Sequence, residues 1–187
     1  MFMRESLIFS LLLVLALAGC KHGIHSGTGG WPPASSSSPT GISSSASVVK
    51  VRAADVSIPA NGSADATVTL SISPGYHINA NPATFPYLIA TEVSQPDKLE
   101  GLPVLGKPIY PAAVTKKFVF AERPLAVYEG DVTIKLPIHL ESKAKSDVQF
   151  TRGAHISIPL TVRVQACDTE KCYTPDTLKT TIAVDVK

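Results

Sequence analysis

Hydrophobic and polar residues alternate with a period of two along much of the chain after residue 47. Two long runs show the pattern, at 132–140 and 156–165, and shorter runs lie at 68–72 and 178–186. Such alternation places every second side chain on one face and predicts strands that are half-buried. No segment of this region keeps helical spacing over ten residues, so the pattern predicts an all-β domain.

Turn residues separate these predicted strands. The chain has 15 prolines, most of them in the gaps between alternating runs, and Asn61-Gly62 precedes one run. Proline interrupts helices and central strands and is frequent in loops and at sheet edges. Short strands separated by turns, without intervening helices, predict an immunoglobulin-like antiparallel β-sandwich, with an up-and-down barrel as the alternative. Residues 48–187 suffice for one such domain with its own core.

The first hydrophobic run differs from these strands. Arg4 precedes an apolar stretch from Leu7 to Leu17, which is too short for a bilayer about 30 Å thick and fits the core of a secretory signal. The stretch ends in Leu17-Ala18-Gly19-Cys20, which resembles the lipobox of bacterial lipoproteins. This resemblance implies that residues 1–19 are a signal peptide and that the Cys20 thiol carries the lipid.

Residues 20–47 contain Gly, Ser, Pro and Thr and few side chains that a core could bury. This composition predicts a disordered tether between the lipid on Cys20 and a folded domain at residues 48–187. Lys21 follows the anchor, and in the enterobacterial sorting rule the absence of Asp at that position favours the outer membrane, with the inner membrane as the alternative. We therefore expect a periplasmic, lipid-anchored protein.

Composition excludes several functions. The net charge is +2, and the basic residues form no stripe with interleaved aromatic residues, so nucleic acid is not an expected partner. His22 and His25 lie in the predicted tether without the further ligands that fix a metal. No order of Ser, His and Asp typical of hydrolases and no phosphate-binding glycine loop occurs. We expect neither a metal nor a cofactor.

The remaining two cysteines, Cys167 and Cys172, lie between the last two predicted strands. In an oxidising compartment they are close enough in sequence to pair. If the strand alternation continues, Cys167 shares the outward face of Arg163 and Gln165, which favours access to its sulfur. A disulfide across about six residues stabilises a domain by only about 2 kcal/mol in the chain-entropy model. Spacing alone leaves two alternatives open, a redox-active pair and a structural disulfide.

Several segments resemble the N-terminal periplasmic domain of the thiol:disulfide interchange protein DsbD. The cysteine segment does so with VQACD at 164–168 and KCYTPDT at 171–177. Upstream segments follow in the order of that family: PGYHINANP at 74–82, YLIATEV at 87–93, Tyr110-Pro111 and VYEG at 127–130. The resemblance extends over nearly all of residues 48–187.

This resemblance implies an immunoglobulin-like fold with a redox-active Cys167-Cys172 pair. It implies a protein-disulfide reductase type of relay rather than a turnover enzyme, and it connects the chain with cytochrome c-type biogenesis. The partners would be a thioredoxin-like electron donor and periplasmic proteins with disulfides, and Cys172 would form the mixed disulfides. A cap loop with an aromatic side chain would shield the pair, with Phe118 or Phe120 as the candidate.

The chain also departs from the family pattern. Well-known members have acidic residues just before the cap aromatic residue, whereas this chain has Lys116-Lys117. Positive charge favours the thiolate, so we expect a more reactive dithiol. Because no membrane segment or thioredoxin-like domain follows in this sequence, we expect the donor to be a separate protein.

Two further expectations concern residues outside the cysteine segment. His77 has two possible roles, a catalytic base beside the thiols and a structural histidine with its hydrogen bonds satisfied. Because it is far from the cysteines in sequence, we expect the structural role, and we expect Asn79 and Asn81 in turns.

The alternative to a redox relay is a non-catalytic interaction lipoprotein with a structural disulfide.

Overall fold

The computed structural model describes residues 44–96, 102–140 and 150–187, all within one compact unit. Within these ranges the chain forms a 3₁₀ turn at Ser45–Ser47 and twelve strands. The strands are β1 (Val49–Ala53), β2 (Val56–Ile58), β3 (Ser63–Ile72), β4 (His77–Asn79), β5 (Glu92–Ser94), β6 (Val104–Leu105), β7 (Val114–Lys116), β8 (Leu125–Tyr128), β9 (Asp131–His139), β10 (His155–Val164), β11 (Ala166–Cys167) and β12 (Asp176–Val186). The long strands coincide with the four alternating runs, so those predictions are confirmed.

The long strands form two sheets. The first sheet has the order β1-β3-β9-β6 and is antiparallel. The second has the order β2-β12-β10-β5, in which β2 runs parallel to β12 and the other pairs are antiparallel. Asn61 adopts a left-handed conformation (φ 57°) in the turn before β3, as its position before Gly62 suggests.

The main core lies between these two sheets. Alternate residues of both are buried in one cluster, including Val68, Leu70, Ile134, Leu136, Ile158, Leu160, Ile182 and Val184. The predicted immunoglobulin-like β-sandwich is confirmed. The up-and-down barrel is not formed, because β9 pairs with β3 and β6 rather than with β8 and β10.

A third, smaller sheet positions the cysteine segment. Its order is β11-β4-β8-β7. In register, Ala166 lies opposite Ile78 and Cys167 lies opposite His77. Ala166 and Ile78 belong to the main core. Since successive side chains of a strand point to opposite faces, Cys167 and His77 lie together on the other face.

Residues 44–47 are part of the folded unit, although the sequence pattern assigned them to the tether. Ser44 pairs with Thr174, and Ser45 is fully buried. The Ser45 hydroxyl donates to the Thr174 carbonyl (2.8 Å) and accepts from the Ala166 N–H (2.9 Å). The folded segment thus begins before Val48 and contacts both sides of the cysteine segment.

The predicted signal peptide, Cys20 and residues 20–43 of the predicted tether lie outside the described residues. Within residues 44–96, 102–140 and 150–187, no helix has the length and hydrophobicity needed to cross a bilayer.

Candidate redox site

Cys167 and Cys172 form a disulfide with an S–S distance of 2.01 Å. They also face each other in an isolated antiparallel bridge, so the bond joins the two arms of a short hairpin. Cys167 is 0 % exposed, whereas Cys172 is only half-buried. The two cysteines therefore differ in exposure, and Cys172 is the more accessible residue.

The expected outward position of Cys167 is wrong. β10 ends at Val164, and β11 begins two residues later in a different sheet. The alternation is therefore not continued, and Ala166 and Cys167 are both buried, on opposite faces of the third sheet. Gln165 occupies the junction, where its side-chain carbonyl oxygen accepts from the Asn79 amide and the Ile89 N–H (3.4 Å each).

The turn between the cysteines is held by Asp168. Its Oδ1 accepts from the N–H groups of Glu170 (2.7 Å) and Lys171 (2.8 Å), and its Oδ2 accepts from the Tyr173 hydroxyl (2.5 Å). These hydrogen bonds lower the pKa of Asp168. The bond to the Asp168 carboxylate raises the pKa of Tyr173 to about 12. The turn is therefore fixed by an ionised carboxylate and a neutral phenol.

This pairing predicts an unusual tyrosine titration. In the wild-type protein the Tyr173 phenol is expected to ionise near pH 12. Asp168→Asn removes the negative charge that opposes the phenolate, so the pKa should fall towards the ordinary value near 10. Absorbance of the phenolate against pH, with Tyr173→Phe to identify the transition, measures the change. An unchanged titration in Asp168→Asn would contradict the pairing.

The same pairing has a defined contribution to stability. The Asp168 pKa is depressed in the fold, so its stabilising contribution is present above the ordinary carboxyl pKa and is lost as the pH falls through the folded value. The Tyr173 pKa is raised, so its contribution is present below pH 10 and is lost as the pH rises towards 12. The turn is held by both groups across the neutral range.

His77 lies at the site, contrary to the expectation of a remote and satisfied histidine. It sits directly opposite Cys167 in the third sheet and is 2 % exposed. Within the described residues its Nε2 has no hydrogen-bond partner. Burial lowers its pKa most strongly and the Lys116 ammonium lowers it further, while the Glu129 and Asp168 carboxylates raise it. The imidazole is therefore neutral at neutral pH.

Phe118 covers His77. The two rings stack with centroids 4.0 Å apart, and Phe118 is 8 % exposed. It lies in the loop between β7 and β8 and packs with Leu125 and Val127 of β8 in a small hydrophobic cluster separate from the main core. Phe120 stacks on Phe118 at 5.5 Å and is 38 % exposed. Of the two candidates for the cap residue, Phe118 thus contacts the neighbour of Cys167 and Phe120 lies further out.

The two asparagines support the site in different ways. Asn79 is not in a turn, because it is a fully buried residue of β4. Its amide donates to the Ile89 carbonyl (3.0 Å). Asn81 lies in a bend, as expected, and its amide donates to the Thr91 carbonyl (2.8 Å). The two side chains thus hold the end of β4 and the residues after it against the segment at 89–91 that precedes β5.

Lys116 does not act as an isolated positive charge. Its ammonium group pairs with the Glu129 carboxylate, with N–O distances of 2.7 and 2.5 Å. Both side chains are partly exposed, so this pair contributes little to stability. The Glu129 carboxylate nevertheless neutralises the charge of Lys116, one of the two lysines that were expected to favour the thiolate.

A groove of about 730 Å³ lies beside the cysteine turn. Its lining includes Tyr76, His77, Lys116, Phe118 and Thr169, so it extends from the turn to the β7–β8 loop. Val119 lines the same groove and is 89 % exposed. The groove thus presents apolar and charged groups together beside the turn, which it reaches at Thr169.

Sequence reasoning missed three groups that hold the site. Asp168 has a signal in the sequence, since an Asp that starts a tight turn commonly accepts from N–H groups two and three residues later. Tyr173 and Ser45 lack such a signal. Ser45 in particular lies at the end of a Ser-rich segment that does not distinguish it from its neighbours.

The fold and the site together define an immunoglobulin-like domain of the thiol-disulfide exchange class. The chain belongs to the family described as thiol:disulfide interchange protein DsbD, N-terminal, whose sequence model matches residues 45–183. The match includes both cysteines and also Ser45. The resemblance seen in the sequence is therefore confirmed.

Comparison with solved structures gives matches with low sequence identity. The reduced N-terminal domain of DsbD from Neisseria meningitidis is 18 % identical, with a TM-score of 0.40, over 66 % of this chain and 80 % of that chain. The N-terminal periplasmic domain of ScsB from Proteus mirabilis is 11 % identical, with a TM-score of 0.43, over 73 % of this chain and 45 % of that chain. Among curated protein sequences, none matches this chain significantly.

Proposed function

We propose that this protein is a membrane-tethered periplasmic module for thiol-disulfide exchange. It takes electrons from a thioredoxin-like donor and passes them to periplasmic protein disulfides through the Cys167-Cys172 pair. The lipid on Cys20 holds it to a membrane, preferentially the outer membrane. Membership of the DsbD N-terminal family and the disulfide at the predicted position support the exchange chemistry.

The difference in burial between the two cysteines is the observation that carries this proposal. A partner thiolate must reach a disulfide sulfur along an open approach. Cys172 is half-buried beside the turn, whereas Cys167 is completely buried. This arrangement supports Cys172 as the residue that forms mixed disulfides and Cys167 as the residue that resolves them.

The proposed cycle balances as two exchange steps. When the domain is reduced, the Cys172 thiolate attacks a substrate disulfide, and one substrate sulfur leaves as a thiolate. Cys167 then attacks Cys172, which releases the second substrate thiolate and restores the Cys167-Cys172 disulfide. The substrate gains two electrons and two protons, and the thioredoxin-like donor later returns two electrons to the pair by the reverse sequence.

Phe118 is the proposed cap residue. It is nearly buried and covers His77, the direct neighbour of Cys167. Phe120, stacked outside it, would be the first contact of a docking partner. The connection with cytochrome c-type biogenesis stays a prediction that depends on the identity of the substrates.

The reduction potential of the pair tests this function. A working relay is expected between about −280 and −180 mV, in the range of thioredoxins and periplasmic isomerases, because both its donor and its substrates must exchange with it. The potential is measured by equilibrating the protein with glutathione and with thioredoxin and counting free thiols. Cys172→Ser serves as the control that cannot form the disulfide.

A potential below about −300 mV would instead indicate a structural disulfide. Together with a fold unchanged on reduction, that result would replace the relay by the non-catalytic interaction lipoprotein. The Asp168 hydrogen bonds that hold the turn are the feature that favours this second function.

A further inference from the structure

Three residues form one row across the third sheet and the cysteine hairpin. Cys172 faces Cys167 across the hairpin, and Cys167 faces His77 across β11 and β4. On its other side β4 pairs with β8, where Ile78 lies opposite Tyr128 and Asn79 lies opposite Val127. Directly opposed residues in a sheet point to the same face, with Cβ atoms about 4.5–5.5 Å apart. His77 is therefore the titratable side chain next to Cys167 on the side away from Cys172.

One ring nitrogen of His77 is buried without a hydrogen-bond partner within the described residues. The residue is 2 % exposed, and the nitrogen is Nε2. A buried polar atom without a partner costs about 1–3 kcal/mol. Phe118 stacks on the ring at 4.0 Å and restricts access of solvent from that side. Such an atom needs an explanation, and the oxidised pair beside it offers one, because a disulfide sulfur has no proton to donate.

The resolving step of the exchange cycle creates a need for a proton acceptor. The nucleophile in that step is a thiolate. A thiol with the ordinary pKa near 8.5 is mostly protonated at neutral pH. Cys167 is 0 % exposed, so solvent does not reach it directly to remove the proton.

We propose that His77 accepts the proton of the Cys167 thiol when Cys167 resolves the mixed disulfide on Cys172. This inference rests on the proposed function, since it describes one step of that cycle. The S–H bond of Cys167 breaks and its proton goes to Nε2 of His77, while the sulfur forms a bond with Cys172. The bond between Cys172 and the substrate sulfur breaks, and the substrate leaves with its electron pair as a thiolate. The imidazolium then gives its proton to that thiolate or to water.

The charges around His77 fit this step. Burial lowers the imidazole pKa, which keeps the acceptor neutral before the step. The carboxylates of Glu129 and Asp168 act in the opposite sense and favour the imidazolium that forms, while Lys116 disfavours it. Because Lys116 is paired with Glu129, the two charges largely offset one another at His77.

Stopped-flow reaction of the reduced protein with dithiobis(nitrobenzoate) separates the two steps. The first phase is the attack of Cys172 on the reagent and depends on reagent concentration. The second phase is the resolution by Cys167, which releases a second thionitrobenzoate and does not depend on that concentration. His77→Gln is expected to slow the second phase about a hundredfold at pH 7, which is the low end of what a positioned acceptor contributes.

The pH dependence distinguishes proton acceptance from a structural role. Between pH 6.5 and 7.5 the wild-type second phase should change less than about twofold, because the acceptor is neutral throughout this range. In His77→Gln the rate should rise about tenfold over the same unit, because it follows the thiolate fraction of Cys167. The same pH slope in both proteins would overturn the proposal, even if His77→Gln is slower.

Three controls keep the outcomes separate. His155→Gln is the matched substitution, at an exposed histidine at the other end of β10, and should leave both phases unchanged. Cys167→Ser should show the first phase alone. His77→Phe keeps a ring against Phe118 and replaces His77→Gln if thermal melting shows that the glutamine variant does not fold. A wild-type protein without a second phase would overturn the exchange function itself, whereas two wild-type phases with a second phase unaffected by His77→Gln would overturn this inference alone.

Discussion

Cys167→Ser is expected to form a stable covalent complex with a thioredoxin-like partner through Cys172. The partner is prepared with one active-site cysteine, whose sulfur carries thionitrobenzoate as the leaving group. The half-buried Cys172 attacks this disulfide, and without Cys167 no second thiol displaces the partner. We expect release of about one equivalent of thionitrobenzoate and conversion of nearly all protein to the complex, measured by absorbance and by non-reducing electrophoresis.

Cys172→Ser is the matched control for this experiment. It keeps one thiol in the same hairpin, but that thiol belongs to Cys167, which is 0 % exposed beside His77 and its Phe118 cover. A macromolecular partner cannot approach it without local opening of the β7–β8 loop. Complex formation should therefore be at least about a hundredfold slower, as follows from an opening free energy near 3 kcal/mol. Equal rates in the two variants would contradict the assignment of Cys172 as the exchanging residue.

The sandwich could be predicted from the sequence because its strands are long and half-buried. In β3, β9, β10 and β12 the alternation of apolar and polar residues continues over several positions, and one face of each lies in the main core. In these strands the alternation of apolar and polar residues therefore follows the alternation of buried and exposed side chains. The strands of the third sheet have only two to four residues, so alternation cannot be recognised in them.

The site depends on that third sheet, which is why its geometry was not predictable. The change of sheet at Gln165 reverses the expected exposure of Cys167. The pairing of β4 with β11 brings His77 next to Cys167 across 90 residues of sequence. Pairing of Lys116 with Glu129 likewise depends on the register of β7 against β8. The cysteines themselves were recognised from a local motif, which needs no knowledge of the sheet.

The second large effect that we predict is a loss of stability when the residues before Val48 are removed. A chain that begins at Ser44 keeps four hydrogen bonds to residues 166–176 that a chain beginning at Val48 loses. Thr174 accepts from the Ser45 hydroxyl (2.8 Å) and the Ser45 N–H (3.0 Å), the Asp176 carboxylate accepts from the Ala46 N–H (2.6 Å), and the Ala166 N–H donates to Ser45 (2.9 Å). At about 1 kcal/mol each, their loss should lower the free energy of unfolding by about 4 kcal/mol.

Urea unfolding of the two chains measures this difference, and thermal melting should show a decrease on the order of 10 °C. A matched pair of substitutions isolates the buried hydroxyl. Ser45→Ala leaves the Ala166 N–H without its acceptor and should cost about 1–3 kcal/mol, whereas Ser47→Ala changes an exposed residue two positions away and should cost almost nothing. Equal stability of the two chains would show that residues 44–47 do not belong to the folded unit.

The expected loss bears on the exchange site as well as on stability. Ala166 immediately precedes Cys167, and Thr174 follows Cys172 by two residues, so Ser45 joins the two arms of the cysteine hairpin from outside the disulfide. We expect this serine to hold the arms together when the disulfide is reduced, because none of its hydrogen bonds involves sulfur. The thiols should then stay close enough for the proposed resolution of a mixed disulfide on Cys172 by Cys167. The chain beginning at Val48 should accordingly show a slower resolving phase as well as a lower stability. An equal resolving rate in the two chains would show that residues 44–47 stabilise the domain without acting on the exchange site.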